Sequence, residues 1–111
     1  MKDDRFYLIH VQECIMRVQA YTSAGHDAFL VSTLVQDAVI RNLQILAESS
    51  QRLSSSLRDA HADVDWRGIA GFRNVLVHDY LGTNLQRVWQ ILERDVPVLK
   101  AAVEALLREQ P

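Results

Sequence analysis

Cysteine, proline, lysine and glycine are all scarce in this 111-residue chain, which holds one, two, two and four of them respectively. The single thiol, Cys14, excludes an internal disulfide framework and suits a reducing compartment. No apolar run approaches the ~20 residues that span a bilayer. The opening residues Met1-Lys2-Asp3-Asp4-Arg5 turn acidic at once, unlike a secretory signal. A cytoplasmic protein without membrane contact is the expectation. Excess charge is missing too: 12 basic and 14 acidic side chains leave a net charge of -2. Residues 1–55 carry five basic and six acidic groups, and residues 56–111 carry seven and eight, so no basic tail is hidden in the average. This balance argues against a strongly basic nucleic-acid binder, and no DNA partner is expected. The type of cation is uneven, however. Ten of the twelve are Arg, which favours bidentate phosphate contact over diffuse attraction.

What is present is ordinary globular composition, 49% hydrophobic and 23% charged, in a length that fits a single domain over residues 1–111. The four glycines and Pro97 leave long segments uninterrupted, and these have helical periodicity. Leu8, Val11, Ile15 and Val18 share one face of a helix predicted over Asp4 to Tyr21, with Asp3 and Asp4 suited to its start. Thr22 to Asp27 is a connection. A second helical region covers Ala28 to Ser54, with a break near Ser32-Thr33, and Val35, Val39, Leu43, Leu46 and Leu53 form its apolar stripe. Asp37, Arg41, Glu48 and Arg52 form another stripe on it, which reads as a solvated face with i,i+4 pairs. Ser54 to Asp65 is a loop or a short helical turn. Asp65 caps a third helix with Ile69, Phe72 and Leu76 inside, and Thr83 or Asn84 caps the next. The last region shows Leu85, Leu92, Leu99 and Leu106 at heptad spacing beside Val88, Val96 and Val103, with a kink or break expected near Asp95-Val96 because of Pro97. The sum is an all-α domain, an antiparallel bundle of four or five helices.

One stretch carries polar groups among apolar neighbours: Arg73-Asn74-Val75-Leu76-Val77-His78-Asp79-Tyr80. On a helix Asn74 and His78 are one turn apart and align, as do Arg73 and Tyr80 two turns apart. Arg73 and His78 diverge by about 140° in projection. Taken singly, each has a plain reading: His78 a partly buried histidine, Arg73 an ion-pair partner of Asp79 or Glu48, Tyr80 an amphipathic side chain at the core edge. His10, His26 and His61 have no ligand spacing to each other or to Cys14, so no metal site is expected. No glycine loop cradles a phosphate, and no cofactor is expected.

Together the eight residues resemble the signature of the HEPN superfamily of helical ribonucleases, Arg-x4-His with a polar residue after the Arg. The longer form, Arg-x4-His-x-Tyr, resembles that of HepT-like toxins. Trp66, Ile69 and Gly71 match the usual lead-in, and Ala38 to Leu43, Val88-Trp89 and Pro97 are similar elsewhere, so the resemblance covers nearly the whole chain. Ala47-Glu48-Ser49 departs from a common Gly-Glu-Ala, which weakens any role for Glu48.

The resemblance implies metal-independent cleavage of RNA, tRNA or mRNA, with the ribose 2'-OH as internal nucleophile. The residue types suit this. An imidazole can act as base or acid near neutral pH, the role of His78, and a guanidinium fork can hold charge building on the phosphate, the role of Arg73. Asn74 can hydrogen-bond a phosphate or orient the imidazole. Glu48 and Asp79 are supporting candidates. The resemblance further implies a homodimer with the motif helix at the dimer cleft. It also implies a toxin–antitoxin pair, in which an MntA-like nucleotidyltransferase antitoxin transfers AMP to Tyr80. The alternative is a non-catalytic nucleotide- or substrate-binding partner of a nucleotidyltransferase. A third reading is a purely structural dimerising bundle.

Overall fold

The computed structural model of the protein describes residues 3–78 and 84–110, and of 75, 77 and 78 the backbone only. In chain order the helices are α1 (Asp4–Tyr21), α2 (His26–Val31), α3 (Thr33–Gln51), α4 (Ser55–Ala60), α5 (Trp66–His78), α6 (Leu85–Gln90) and α7 (Val96–Glu109). A π-helical turn, Ile91–Asp95, joins α6 to α7. The described residues contain no strand. The architecture is therefore all-α, with four long rods (α1, α3, α5 and α6–π–α7) and two short helices, α2 and α4.

Contacts between helix ends fix the directions. Asp4, at the start of α1, accepts hydrogen bonds from the Ser54 backbone N–H at 2.8 Å and from its hydroxyl at 2.7 Å, just past the end of α3. Gln19, near the end of α1, accepts from Lys100 in the first turns of α7 at 3.3 Å. So α1 runs antiparallel to both α3 and α7. At the opposite end of α7, Glu109 pairs with His61, in the connection before α5, at 3.1 Å.

The interior is one cluster to which every helix contributes. Leu8, Val11, Cys14, Ile15 and Val18 come from α1, Val39, Leu43 and Leu46 from α3, and Ile69, Phe72 and Leu76 from α5. The apolar stripes expected for these three helices are the ones that face inward. Burial of Cys14 pushes its thiol above its usual value and keeps it neutral.

The caps follow local chemistry. Asp3 accepts from the Phe6 amide at 3.0 Å and Asn84 from the Arg87 amide at 3.1 Å. Ser32 caps α3 through the Val35 amide at 3.2 Å and so separates it from α2. Gln36 then donates to the carbonyls of Phe29 and Leu30 in the last turn of α2, the first of which also accepts from the Ser32 backbone N–H. Gly25 precedes α2 at φ 97°, a conformation that favours glycine. Ser54 caps α4 through the Leu57 amide, so of the loop or short helical turn expected here the first part is the helical turn.

At Pro97 the chain stays helical. Gln90, Ile91, Asp95 and Val96 all have right-handed helical backbone angles. The Val96 amide reaches back five residues to the Ile91 carbonyl, and Pro97, which has no amide to give, sits in the first turn of α7. The wide turn shifts the register. The buried line runs Val88, Ile91, Val96, Leu99, Val103, Leu106, whereas Leu85 and Leu92 of the expected heptads are only partly buried.

Two predictions arise here. Asp4→Ala removes both bonds to Ser54 and is expected to cost about 1.5–3 kcal/mol of stability, against about 1 kcal/mol for the cap-removing Asp3→Ala. Urea unfolding checks the order, and equal losses would contradict it. The second concerns His26, whose Nδ1 meets the Asp27 carboxylate at 3.1 Å and whose Nε2 meets the Gln86 side-chain oxygen of α6 at 3.2 Å. Both partners are oxygens, so both bonds form only with the imidazolium. The bond to Gln86 first, and that to Asp27 next, raise its pKa above the ordinary 6.5. A raised folded-state value contributes stability in full below the unfolded pKa and loses it as pH rises through the folded one. The melting temperature should therefore fall between about pH 6 and 8 more steeply in the wild type than in His26→Ala. Parallel profiles would contradict the link.

Candidate functional site

Helix α5 is set in place from its first turn. The Asp65 carboxylate accepts from the Gly68 amide at 2.9 Å, as an N-cap does, and occupies the space that a Cβ at position 68 would need. The Trp66 indole N–H donates to the His61 carbonyl at 3.0 Å and ties the preceding connection to the helix. Ile69, Phe72 and Leu76 turn inward, at 5%, 5% and 3% exposure.

That inward seam decides what is left outside. Arg73 and Asn74, consecutive on α5, are both exposed. His78 is the last residue of α5, one helical turn beyond Asn74 in register, and its side chain lies outside the description. Asp79 and Tyr80 lie outside the described residues.

Arg73 borders a hollow of 410 Å³ formed with Ala70 of α5, the last turns of α3 and the adjoining Arg52. Glu48, Gln51 and Arg52 line its other side. The fold thus brings Glu48 and Arg73 to one hollow, although no ion pair within 4 Å joins them. Among the described residues the ion pairs within 4 Å are His26–Asp27 and His61–Glu109, and neither involves an arginine. Asp37, Arg41, Glu48 and Arg52 are all exposed, so their stripe is a solvated face, but without the expected i,i+4 pairs. Arg52 beside Arg73 is a neighbour that sequence spacing did not single out.

Trp66 and Trp89 are partly buried against the core, and Trp89 packs edge-on to His26 with ring centroids 5.2 Å apart. Among the described residues no group of three or more His, Cys, Asp or Glu side chains could hold a metal ion. No helix in the described residues is long and apolar enough to cross a membrane.

Chemically, the exposed face of α5 offers a guanidinium fork free of acidic partners among the described residues, with a side-chain amide at the next position. A fork of this kind can take two oxygens of a phosphate at once.

Comparison with known proteins agrees in kind. The family model described as "Ribonuclease HepT-like" matches residues 11–106. A protein of Caldanaerobacter subterraneus subsp. tengcongensis named "Putative RNase" is 31% identical over 111 residues, 99% of this chain and 99% of its own length. The "Probable ribonuclease HepT" of Thermococcus cleftensis is 32% identical over 101 residues, 90% of this chain and 92% of its own. A Methanocaldococcus jannaschii protein named "Gamma-glutamylcyclotransferase and putative RNase" is 32% identical over 109 residues, 97% of this chain. This chain spans about half of that relative, 49% of its length. No solved structure matches.

Proposed function

Because the chain belongs to the HepT-like ribonuclease family, we propose that it is an endoribonuclease whose working residues are Arg73, Asn74 and His78. The observation that carries this reading is the exposed Arg73–Asn74 pair on α5. Its guanidinium lacks an acidic partner among the described residues and borders a hollow, while the inward face of the same helix is filled by core.

His78 takes the proton of a ribose 2'-OH, and the oxygen attacks the adjacent phosphorus. The bond from phosphorus to the 5' oxygen breaks, and that oxygen leaves with a proton from an imidazolium. The products are a 2',3'-cyclic phosphate and a 5'-hydroxyl. Arg73 holds the non-bridging oxygens as their charge grows, with the guanidinium fork it carries on α5. Asn74 bonds a phosphate oxygen or orients the imidazole. Glu48 and Asp79 support the guanidinium and the ring. In a symmetric dimer with α5 at its cleft, two His78 side chains divide the base and acid roles. The step needs no metal ion or cofactor.

The same reading makes the protein the toxin of a cytoplasmic toxin–antitoxin pair. The cognate MntA-like nucleotidyltransferase transfers AMP to the Tyr80 phenol, which lies two residues past His78. The added phosphate and adenosine put bulk and negative charge where the RNA phosphate must sit.

Purified protein incubated with total RNA and tRNA in EDTA tests the enzyme. Defined fragments are expected. Stable binding without fragments would instead favour a nucleotide- or substrate-binding partner subunit. Intact mass after expression with and without the nucleotidyltransferase tests the pairing. A gain in whole AMP units, lost in Tyr80→Phe, is expected, and an unchanged mass would contradict it.

A further inference from the structure

The hollow beside Arg73 does not end there. It shares Gln51 and Ala70 with a second hollow of 300 Å³, lined also by Arg58, Trp66 and Arg67. That one shares Arg58, Trp66 and Arg67 with a third, wider hollow around the connection before α5. The three adjoining hollows make up a groove bordered by α3, α4 and α5, leading from Arg73 back toward the start of α5.

The charge along this groove is one-sided at first. Four guanidinium groups, Arg52, Arg58, Arg67 and Arg73, line the first two hollows against a single carboxylate, Glu48. None of the four makes an ion pair within 4 Å among the described residues. The Nε of Arg58 is buried and has no hydrogen-bond partner among the described residues. At the far end Asp59, Asp63 and Asp65 line the third hollow, so the cationic stretch is short. From Arg67 to Arg73 it covers about 9 Å along α5, at ~1.5 Å per residue.

We infer that this groove holds the RNA strand on one side of the phosphate that is cut, with Arg52, Arg58 and Arg67 as phosphate-binding residues. The inference rests on the ribonuclease reading and extends it to a single-stranded substrate. A cationic groove bordered by an aromatic side chain is how single strands are held without base reading, and Trp66, fixed by its bond to His61, borders this one. Hollows of 300 and 410 Å³ are each of the size that takes one small ligand. A second copy of this chain would have to meet four guanidinium groups with an acidic face, whereas phosphates bring the needed charge at every step.

The test uses Arg58→Ala/Arg67→Ala, in the wild type and in the His78→Ala background. Fluorescence anisotropy with a labelled single-stranded RNA of about ten nucleotides reads binding without cutting. The double change is expected to weaken binding about tenfold. It should also lower the slope of log K against log salt by about 1.4, roughly 0.7 for each lost phosphate contact. In the cleaving protein KM for the same RNA should rise and kcat hold. Arg58→Lys/Arg67→Lys keeps the charge and should keep the salt slope, which separates charge from folding. Unchanged affinity and slope in the alanine variant would overturn the inference. So would a loss of dimer stability with RNA affinity intact, which would make the groove an interface between copies. Failure of the unaltered protein to cut any RNA would count against the ribonuclease reading and leave the binding measurement to decide the groove.

Discussion

His78→Ala is expected to lower the rate of RNA cleavage by about 10²- to 10⁴-fold, the range that general acid–base groups supply. Arg73→Ala should cost about 10²- to 10³-fold, as the loss of one preorganised contact to developing charge does. Arg73 is exposed and makes no ion pair among the described residues, so its replacement should leave the melting temperature within about a degree or two. Arg73→Lys is the sharper variant. Lysine keeps the charge but loses the fork, and only partial recovery is expected. Cleavage assays with circular dichroism on the same samples check this. Wild-type rates in both alanine variants would end the proposal.

Leu76→Ala, within the same eight-residue motif, should do the opposite. Leu76 is 3% exposed and packs with Ile69 and Phe72 into the common core. Removing the three side-chain carbons beyond Cβ leaves a cavity beneath the last turn of α5 and should cost about 2–5 kcal/mol of stability. For a domain whose total is about 5–15 kcal/mol, that is a large share. Its activity loss should be recovered by stabilising conditions such as lower temperature, whereas that of His78→Ala should not. Equal stability of Leu76→Ala and wild type in urea would mean that the α5 seam is not packed as described. Stability and chemistry thus separate on one helix, inward and outward of its axis.

The inward seam of α5 is legible in the sequence because Ile69, Phe72 and Leu76 obey the helical period. The stripes of α1, α3 and α5 repeat at three and four residues, and the caps at Asp3, Asp65 and Asn84 are short-range chemistry. Pro97 marked the right place in the last region but not the form. A heptad of leucines suggests one uniform stripe, and only the Val96-to-Ile91 bond shows where an extra residue enters. Asp4 reads as an aid to its own helix, yet it holds Ser54, 50 residues away. The hydrogen bond is long-range, and no local pattern predicts it. The groove was hidden for the same reason. Arg52, Arg58 and Arg67 sit at unrelated positions along the chain, and only the folded chain brings them to adjoining hollows.

Near-zero net charge consequently does not count against an RNA substrate here. The average conceals a local surplus of four guanidinium groups over one carboxylate in the two hollows nearest Arg73, which the three aspartates of the third hollow do not share. A binder of this kind should depend on salt only moderately, since few phosphates are engaged.

The most direct measurement is the chemistry of the RNA ends made by the purified protein in EDTA, read by mass spectrometry of a single defined oligonucleotide. Attack by the 2'-OH at the Arg73–His78 site predicts a 2',3'-cyclic phosphate on one fragment and a 5'-hydroxyl on the other, with both absent from the His78→Ala reaction. A 3'-hydroxyl paired with a 5'-phosphate, or the same ends at the same rate from His78→Ala, would contradict it.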